Sequence, residues 1–120
     1  MNGRVDSHGR ALITVAVRSP ENVNTRSVQA WIDTGFTGDL VLSQERIAEL
    51  GLPLCGTLKA TLADGSAVVL ERFTRLISWF GEERELEVLS NGGEFPLLGV
   101  GLLVGRDLHV SYQSGDVWIR

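Results

Sequence analysis

Apolar and polar residues alternate along most of this chain, the period-two pattern of half-buried strands. Residues 11–17 alternate in this way and predict a first strand, followed by a turn at Ser19-Pro20-Glu21-Asn22. Residues 27–32 predict a second strand and residues 40–42 a third. Ser43 then stands where an N-cap belongs. Residues 44–50 predict a short helix with Ile47 and Leu50 on one face. Gly51 suits the left-handed position after its end, and Pro53 bars continuation. Residues 57–62 and 67–70 flank Ala63-Asp64-Gly65-Ser66. Asp-Gly between apolar strands predicts a tight hairpin with positive φ at both central residues. Residues 73–80 and 84–89 predict two strands around a turn at Gly81-Glu82, with a loop at Asn91-Gly92-Gly93 after them. Pro96-Leu97-Leu98-Gly99 reads as a short apolar strand meeting glycine, and residues 100–104 as a helical turn. Residues 108–112 and 117–119 predict a last hairpin around Ser114-Gly115. With no repeat or linker, the pattern predicts one all-β domain: a closed, barrel-like sheet of short strands with one or two short helices.

Composition narrows the function. The chain has 120 residues, 43% hydrophobic and 22% charged, enough to bury one core. Its formal charge is −4, and its arginines are interspersed with acids. No basic stripe is present to release counterions from nucleic acid, so a nucleic-acid partner is not expected. No apolar run approaches the roughly 20 residues of a membrane span. Residues 1–9 are polar, lack the apolar core of a signal peptide, and predict an N-terminal tail ahead of a domain at 10–120. Cys55 is the single cysteine, so no internal disulfide can form, which favours a reducing, cytoplasmic setting. His8 and His109 are far apart and away from Cys55; no spacing fits a metal, and no cofactor is expected. His109 alternates with Leu108 and Val110 and reads as an ordinary strand residue. Asp39, Asp107 and Asp116 read as turn residues, and Trp31, Trp79 and Trp118 as core or interface.

The chemistry-bearing stretch is Ala30-Trp31-Ile32-Asp33-Thr34-Gly35-Phe36-Thr37-Gly38, an apolar strand running into Asp-Thr-Gly with another apolar strand after it. A carboxylate at the mouth of a strand is costly to desolvate unless backbone donors hold it. Gly35 lets the backbone turn sharply beside that carboxylate, and Thr34 adds a hydroxyl that both donates and accepts. The chain holds only one such loop.

Read in order, Ile32-Asp33-Thr34-Gly35, the hairpin at Leu62-Ala63-Asp64-Gly65-Ser66 and the step Leu97-Leu98-Gly99 resemble the retropepsin-like aspartic proteases, closest to the small stand-alone prokaryotic members with Asp-Thr-Gly-Phe. The resemblance covers nearly the whole chain. It implies Asp33, Thr34 and Gly35 as the catalytic loop. It implies Phe36, Thr37, Ala63, Asp64, Gly65 and Ser66 as substrate-binding residues, the last four on a flap that closes over an extended peptide. Leu97, Leu98 and Gly99 would pack beneath the loop. The retroviral pattern has alanine where this chain has Phe36. It also carries a paired aspartate and arginine where this chain has Thr37 and Val100.

One Asp33 is half a catalytic site. Peptide hydrolysis at an aspartic dyad needs two carboxylates around one water, sharing a proton as a coupled pair. The resemblance therefore implies a homodimeric endopeptidase with the site on a two-fold axis. Thr34 would reach across that axis, and the chain ends, residues 1–9 included, would help build the dimer contact. The alternative is a non-catalytic retropepsin-fold module for dimerisation or peptide binding, with Phe36 filling the groove.

Overall fold

Among residues 1–18, 25–91, 93 and 95–120, which the computed structural model describes, ten strands join in one sheet. In chain order they are β1 (Asn2–Val5), β2 (Ala11–Arg18), β3 (Thr25–Ile32), β4 (Leu40–Ser43), β5 (Leu54–Thr61), β6 (Ala67–Trp79), β7 (Glu82–Asn91), β8 (Leu97–Leu98), β9 (Leu108–Val110) and β10 (Asp116–Ile119). One helix, α1 (Gln44–Leu50), follows β4, and a 3-10 turn covers Val100–Leu102. The turn expected at Ser19-Pro20-Glu21-Asn22, and Gly92 of the expected loop, lie outside the described residues.

The sheet runs β5-β6-β7-β4-β8-β3-β2-β1-β10-β9, and β6 also touches β2. That contact, the pair Val17↔Ile77, closes the six strands β6, β7, β4, β8, β3 and β2 into a ring. The architecture is the expected all-β barrel with one helix, though its seam is narrow. Two wings leave the ring. The β5–β6 hairpin extends from one side, and β1, β10 and β9 continue the sheet beyond β2.

Alternation accounts for the core. Ile13, Val15 and Val17 of β2 point inward with Val28 and Ala30 of β3, Ile77 of β6, and Leu86 and Val88 of β7, all nearly free of solvent contact. Burying each larger aliphatic side chain contributes about 1.5–3 kcal/mol. Helix α1 closes one end. The Ser43 hydroxyl accepts from the Arg46 amide at 3.2 Å, Gly51 adopts φ 64° after the last turn, and Ile47 and Leu50 pack into the core. No helix among the described residues is long and apolar enough to cross a membrane.

Three local expectations are revised. Residues 1–9, expected as a tail, contain β1, which pairs with both β10 and β2. Met1 and Ile119 exchange main-chain hydrogen bonds of 3.0 and 2.9 Å, so the two chain ends close on each other within one chain. The hairpin turn at Asp64-Gly65 has positive φ only at Gly65 (86°). Leu62 donates to the Ser66 carbonyl at 2.8 Å and Gly65 to Leu62 at 2.9 Å, so the loop has three residues rather than two. The Asp64 carboxylate accepts from the Ser66 amide (2.9 Å) and hydroxyl (2.6 Å), and this local chelation selects the longer loop. Positive φ at both central residues occurs instead at Phe80 (52°) and Gly81 (81°), between the paired residues Trp79 and Glu82. The ring of Phe80 packs edge-on to Trp79, and the Arg106 guanidinium lies 3.9 Å from its centroid, which offsets the cost of that backbone in a bulky residue.

Candidate active site

Strand β3 delivers Asp33. It runs parallel to β8, pairing Trp31 with Leu97 and Ile32 with Leu98, and the Asp33 amide donates to the Leu98 carbonyl at 2.8 Å. The carboxylate is half-buried, and its Oδ1 accepts from the Gly35 amide at 2.9 Å. Backbone hydrogen bonding therefore replaces part of the water that the carboxylate loses. The Phe36 amide donates to the Asp33 carbonyl at 3.2 Å, completing a tight turn. Thr34, Gly35 and Thr37 are exposed.

Beyond Leu98 the backbone cradles the loop. Successive amides of Gly99, Val100 and Gly101 donate to the carbonyls of Asp39, Phe36 and Gly38 at 2.8, 2.8 and 2.9 Å. This approach requires glycine. A Cβ on Gly99 would strike the Gly38 carbonyl and the Phe36 ring, and one on Gly101 would strike the Asp39 carboxylate. Leu98, with no exposed surface, lies in the core under the loop, and half-buried Leu97 lies beside it.

Two hollows meet this loop. The larger, about 640 Å³, has Gly35, Phe36, Thr37, Gly38, Val41 and Leu89 on one side. The β5–β6 hairpin supplies Leu58, Ala60, Leu62, Val68 and Leu70 on the other. The smaller, about 420 Å³, is lined by Trp31, Ile32, Asp33, Thr34 and Leu97. The structure thus brings the Asp33 loop and the hairpin together around one mostly apolar groove. The hairpin faces that groove with its arms. The tip residues Ala63, Asp64, Gly65 and Ser66 are exposed and do not line it. Hydrogen bonds from the Ser66 hydroxyl and amide hold the Asp64 carboxyl below the usual carboxylate range.

Phe36 is half-buried and folds back on the loop. Its ring comes within 2.5 Å of the point a Cβ on Gly38 would occupy, so both Gly38 and Gly99 make room for it. Phe36 also lines the larger groove, which keeps about 640 Å³ beside it.

Several contributors escaped the sequence reading. Asp39, read as a turn residue, is tied to β7: its Oδ2 accepts from the Glu87 amide at 3.0 Å and its Oδ1 lies 3.4 Å from Arg84 Nη2. Arg84 also donates to the Gly101 carbonyl at 2.7 Å. The available signal was parity, since Arg84 shares a strand face with buried Leu86 and Val88. Trp31, read as core or interface, is 40% exposed beside Asp33. Phe95 meets it edge-on, and the Arg10 guanidinium stands 4.1 Å from the Phe95 centroid. Arg10 in turn binds Asp6 at 2.7 Å. Burial pushes the Asp6 carboxyl up, but the amide and guanidinium of Arg10 and the His8 amide outweigh it and bring it to about 2. Among the described residues, no cluster of His, Cys, Asp and Glu could hold a metal ion.

Among solved structures, the chain is similar to a retropepsin-like aspartic protease from Rickettsia conorii. The TM-score is 0.60 at 17% identity, over 98% of this chain and 87% of that one. The fold is retropepsin-like. A foamy viral protease-reverse transcriptase, solved with an RNA/DNA hybrid, matches with TM-score 0.51 at 12% identity, over 83% of this chain and 13% of that one. No protein-family model and no curated protein matches the chain. These neighbours establish the retropepsin-like barrel, within which the Asp33 loop, its glycine cradle and the adjoining groove are features of this chain's own geometry.

Proposed function

We propose that this protein is an aspartic endopeptidase that works as a homodimer, hydrolysing peptide bonds with a water held between two symmetry-related Asp33 carboxylates. The observation that carries the reading is the placement of Asp33. It stands half-buried at the end of a strand, held by the Gly35 amide and lining the smaller hollow, while Gly35 to Gly38 of its loop line the larger, mostly apolar groove. One carboxylate activates the water while the other, protonated, donates to the scissile carbonyl. An extended peptide lies between the loop and the arms of the β5–β6 hairpin, as an added strand with apolar side chains at the cut. The mostly apolar lining of the groove, in which Lys59 and Glu87 are the charged members, supports that preference. Exposed Thr34 is free to meet the partner's loop. Strands β1 and β10 pair within one chain, and on this reading the two copies meet through the loop face, with the chain ends helping to build the contact. The single cysteine and the charge of −4 suit a cytoplasmic protein with no nucleic-acid partner.

The test is cleavage of a peptide library at mildly acidic pH by the wild-type protein and by Asp33→Asn, with sedimentation run in parallel. Activity lost in the variant, inhibition by a statine-type transition-state mimic, and specific activity falling on dilution are the expected results. A protein that dimerises yet cuts nothing at any pH would instead be a peptide-binding or dimerisation module. The volume of about 640 Å³ left beside Phe36 argues against the occluded groove such a module would have.

A further inference from the structure

We propose that Asp39 and Arg84 are positioning residues that clasp the far arm of the Asp33 loop to strand β7; as a statement about catalysis, this rests on the protease reading above. The loop has two arms. The near arm is fixed by β8 through the Asp33 amide and the Leu98 carbonyl. Among the described residues, the far arm, Phe36 to Asp39, makes main-chain hydrogen bonds to Gly99, Val100 and Gly101, besides the bond from Phe36 to Asp33 within the loop. Those residues enter a short 3-10 turn, which is a weak anchor by itself.

Strand β4, which begins right after Asp39, pairs with β7 and β8, and the clasp adds a side-chain tie at the same end of the loop. Arg84 Nη2 donates to the Gly101 carbonyl at 2.7 Å and reaches Asp39 Oδ1 at 3.4 Å. Asp39 Oδ2 takes the Glu87 amide at 3.0 Å, while its main-chain carbonyl takes the Gly99 amide at 2.8 Å. Two side chains thus join the loop, the 3-10 turn and β7, and β7 is locked between β4 and β6 in the ring. Hydrogen bonds to charged groups are shorter and stronger than neutral ones, which suits a clasp. An independent observation agrees: the Asp39 carboxylate occupies the space a Cβ on Gly101 would need, so that position is glycine to admit it. The retroviral acid–arginine pair, absent here at Thr37 and Val100, has a counterpart built from other positions on the same loop.

The experiment compares Arg84→Met, Arg84→Lys and Asp39→Asn with wild type by amide hydrogen exchange. In Arg84→Met the amides of Gly99 and Gly101 should exchange roughly 10-fold faster or more, as a local opening. The amides of Val15 and Val28 in the barrel wall should be unchanged. Arg84→Lys should keep part of the protection, and Asp39→Asn should expose the same amides if Arg84→Met does not fold. Unchanged exchange at Gly99 and Gly101, or acceleration shared equally by Val15 and Val28, would overturn the proposal. On a peptide that the wild type cuts, Arg84→Met should lower kcat roughly 10- to 100-fold with KM within about threefold, since small displacements of reacting groups carry losses of that size. A raised KM with kcat intact would assign Arg84 to substrate binding instead. A wild-type protein that cuts nothing would sink the protease reading while leaving the exchange result to decide the clasp.

Discussion

The ring of Phe36 lies 2.5 Å from the point that a Cβ on Gly99 would occupy. The aromatic residue after Asp-Thr-Gly and the glycine after Leu-Leu are therefore one packing unit, although 63 positions separate them. Gly99→Ala should destabilise the fold by about 1–3 kcal/mol, the usual cost of overpacking, read as a lower denaturation midpoint. Adding Phe36→Ala should restore only part of this, because the Gly38 carbonyl also stands in the way. Full restoration would mean that the carbonyl contact yields freely.

Leu98 has no exposed surface and lies directly under the Asp33 loop, its carbonyl taking the Asp33 amide. Leu98→Ala should cost about 2–5 kcal/mol. The loss should appear in urea denaturation with an unchanged slope. A loss under 1 kcal/mol would show that the loop does not depend on packing from below.

How much of this was legible in the sequence depends on how local each signal is. The helix was readable to the residue, since Ser43, Gly51 and the Ile47/Leu50 spacing act within a few positions of one another. The end of the strand before Asp33 was too, at Ile32, although the strand begins at Thr25, two residues before the expected start. Strand β1 was not, because exposed Asn2 and Arg4 alternate with Gly3 and Val5, and its partner lies at the other end of the chain. The Asp64 turn misled because Asp-Gly fits two loop lengths, and a side-chain bond to Ser66 decides between them. Phe80 hid its turn by being aromatic at a position where glycine or asparagine is usual. At the site, Asp33 was visible and the clasp was not. Asp39 and Arg84 are 45 positions apart and meet only once β7 lies beside β4.

Ser66 holds Asp64 in its ionised form through a hydroxyl and an amide. Ser66→Ala removes the first of these, the larger cause of the lowered value. The Asp64 carboxyl should therefore titrate higher in the variant, closer to an ordinary aspartate, followed by carbonyl-carbon NMR. An unmoved titration would assign the effect to the backbone amide alone.

Asp6 titrates at about 2 when folded, against an ordinary 3.8. A lowered carboxylate stabilises the fold above its unfolded value, and that contribution is lost as pH falls through the folded one. Asp6→Asn should therefore be less stable than wild type at pH 5. The gap should narrow between about pH 4 and 2, measured by denaturation at each pH. Arg10→Met should show the same convergence, since its guanidinium is part of what holds Asp6 down. A gap constant with pH would mean that the loss is packing of Arg10 on Phe95 rather than charge.

Thr34 is exposed on the single chain, so its hydroxyl contributes little to folding and, on the proposed reading, much to pairing. Thr34→Val keeps shape and branching while removing the donor. Chain stability should stay within about 0.5 kcal/mol of wild type, as for surface substitutions generally. The dimer should weaken, because each of two symmetric hydrogen bonds contributes about 0.5–1.5 kcal/mol. Their sum corresponds to a rise in the dimer Kd of roughly 5- to 150-fold, read by sedimentation across a dilution series. Cleavage at low concentration should fall in step and recover at high concentration, because the variant still carries both Asp33 carboxylates once paired. A variant that dimerises as tightly as wild type would move the two-fold axis away from Thr34, and with it the meeting point of the two acids.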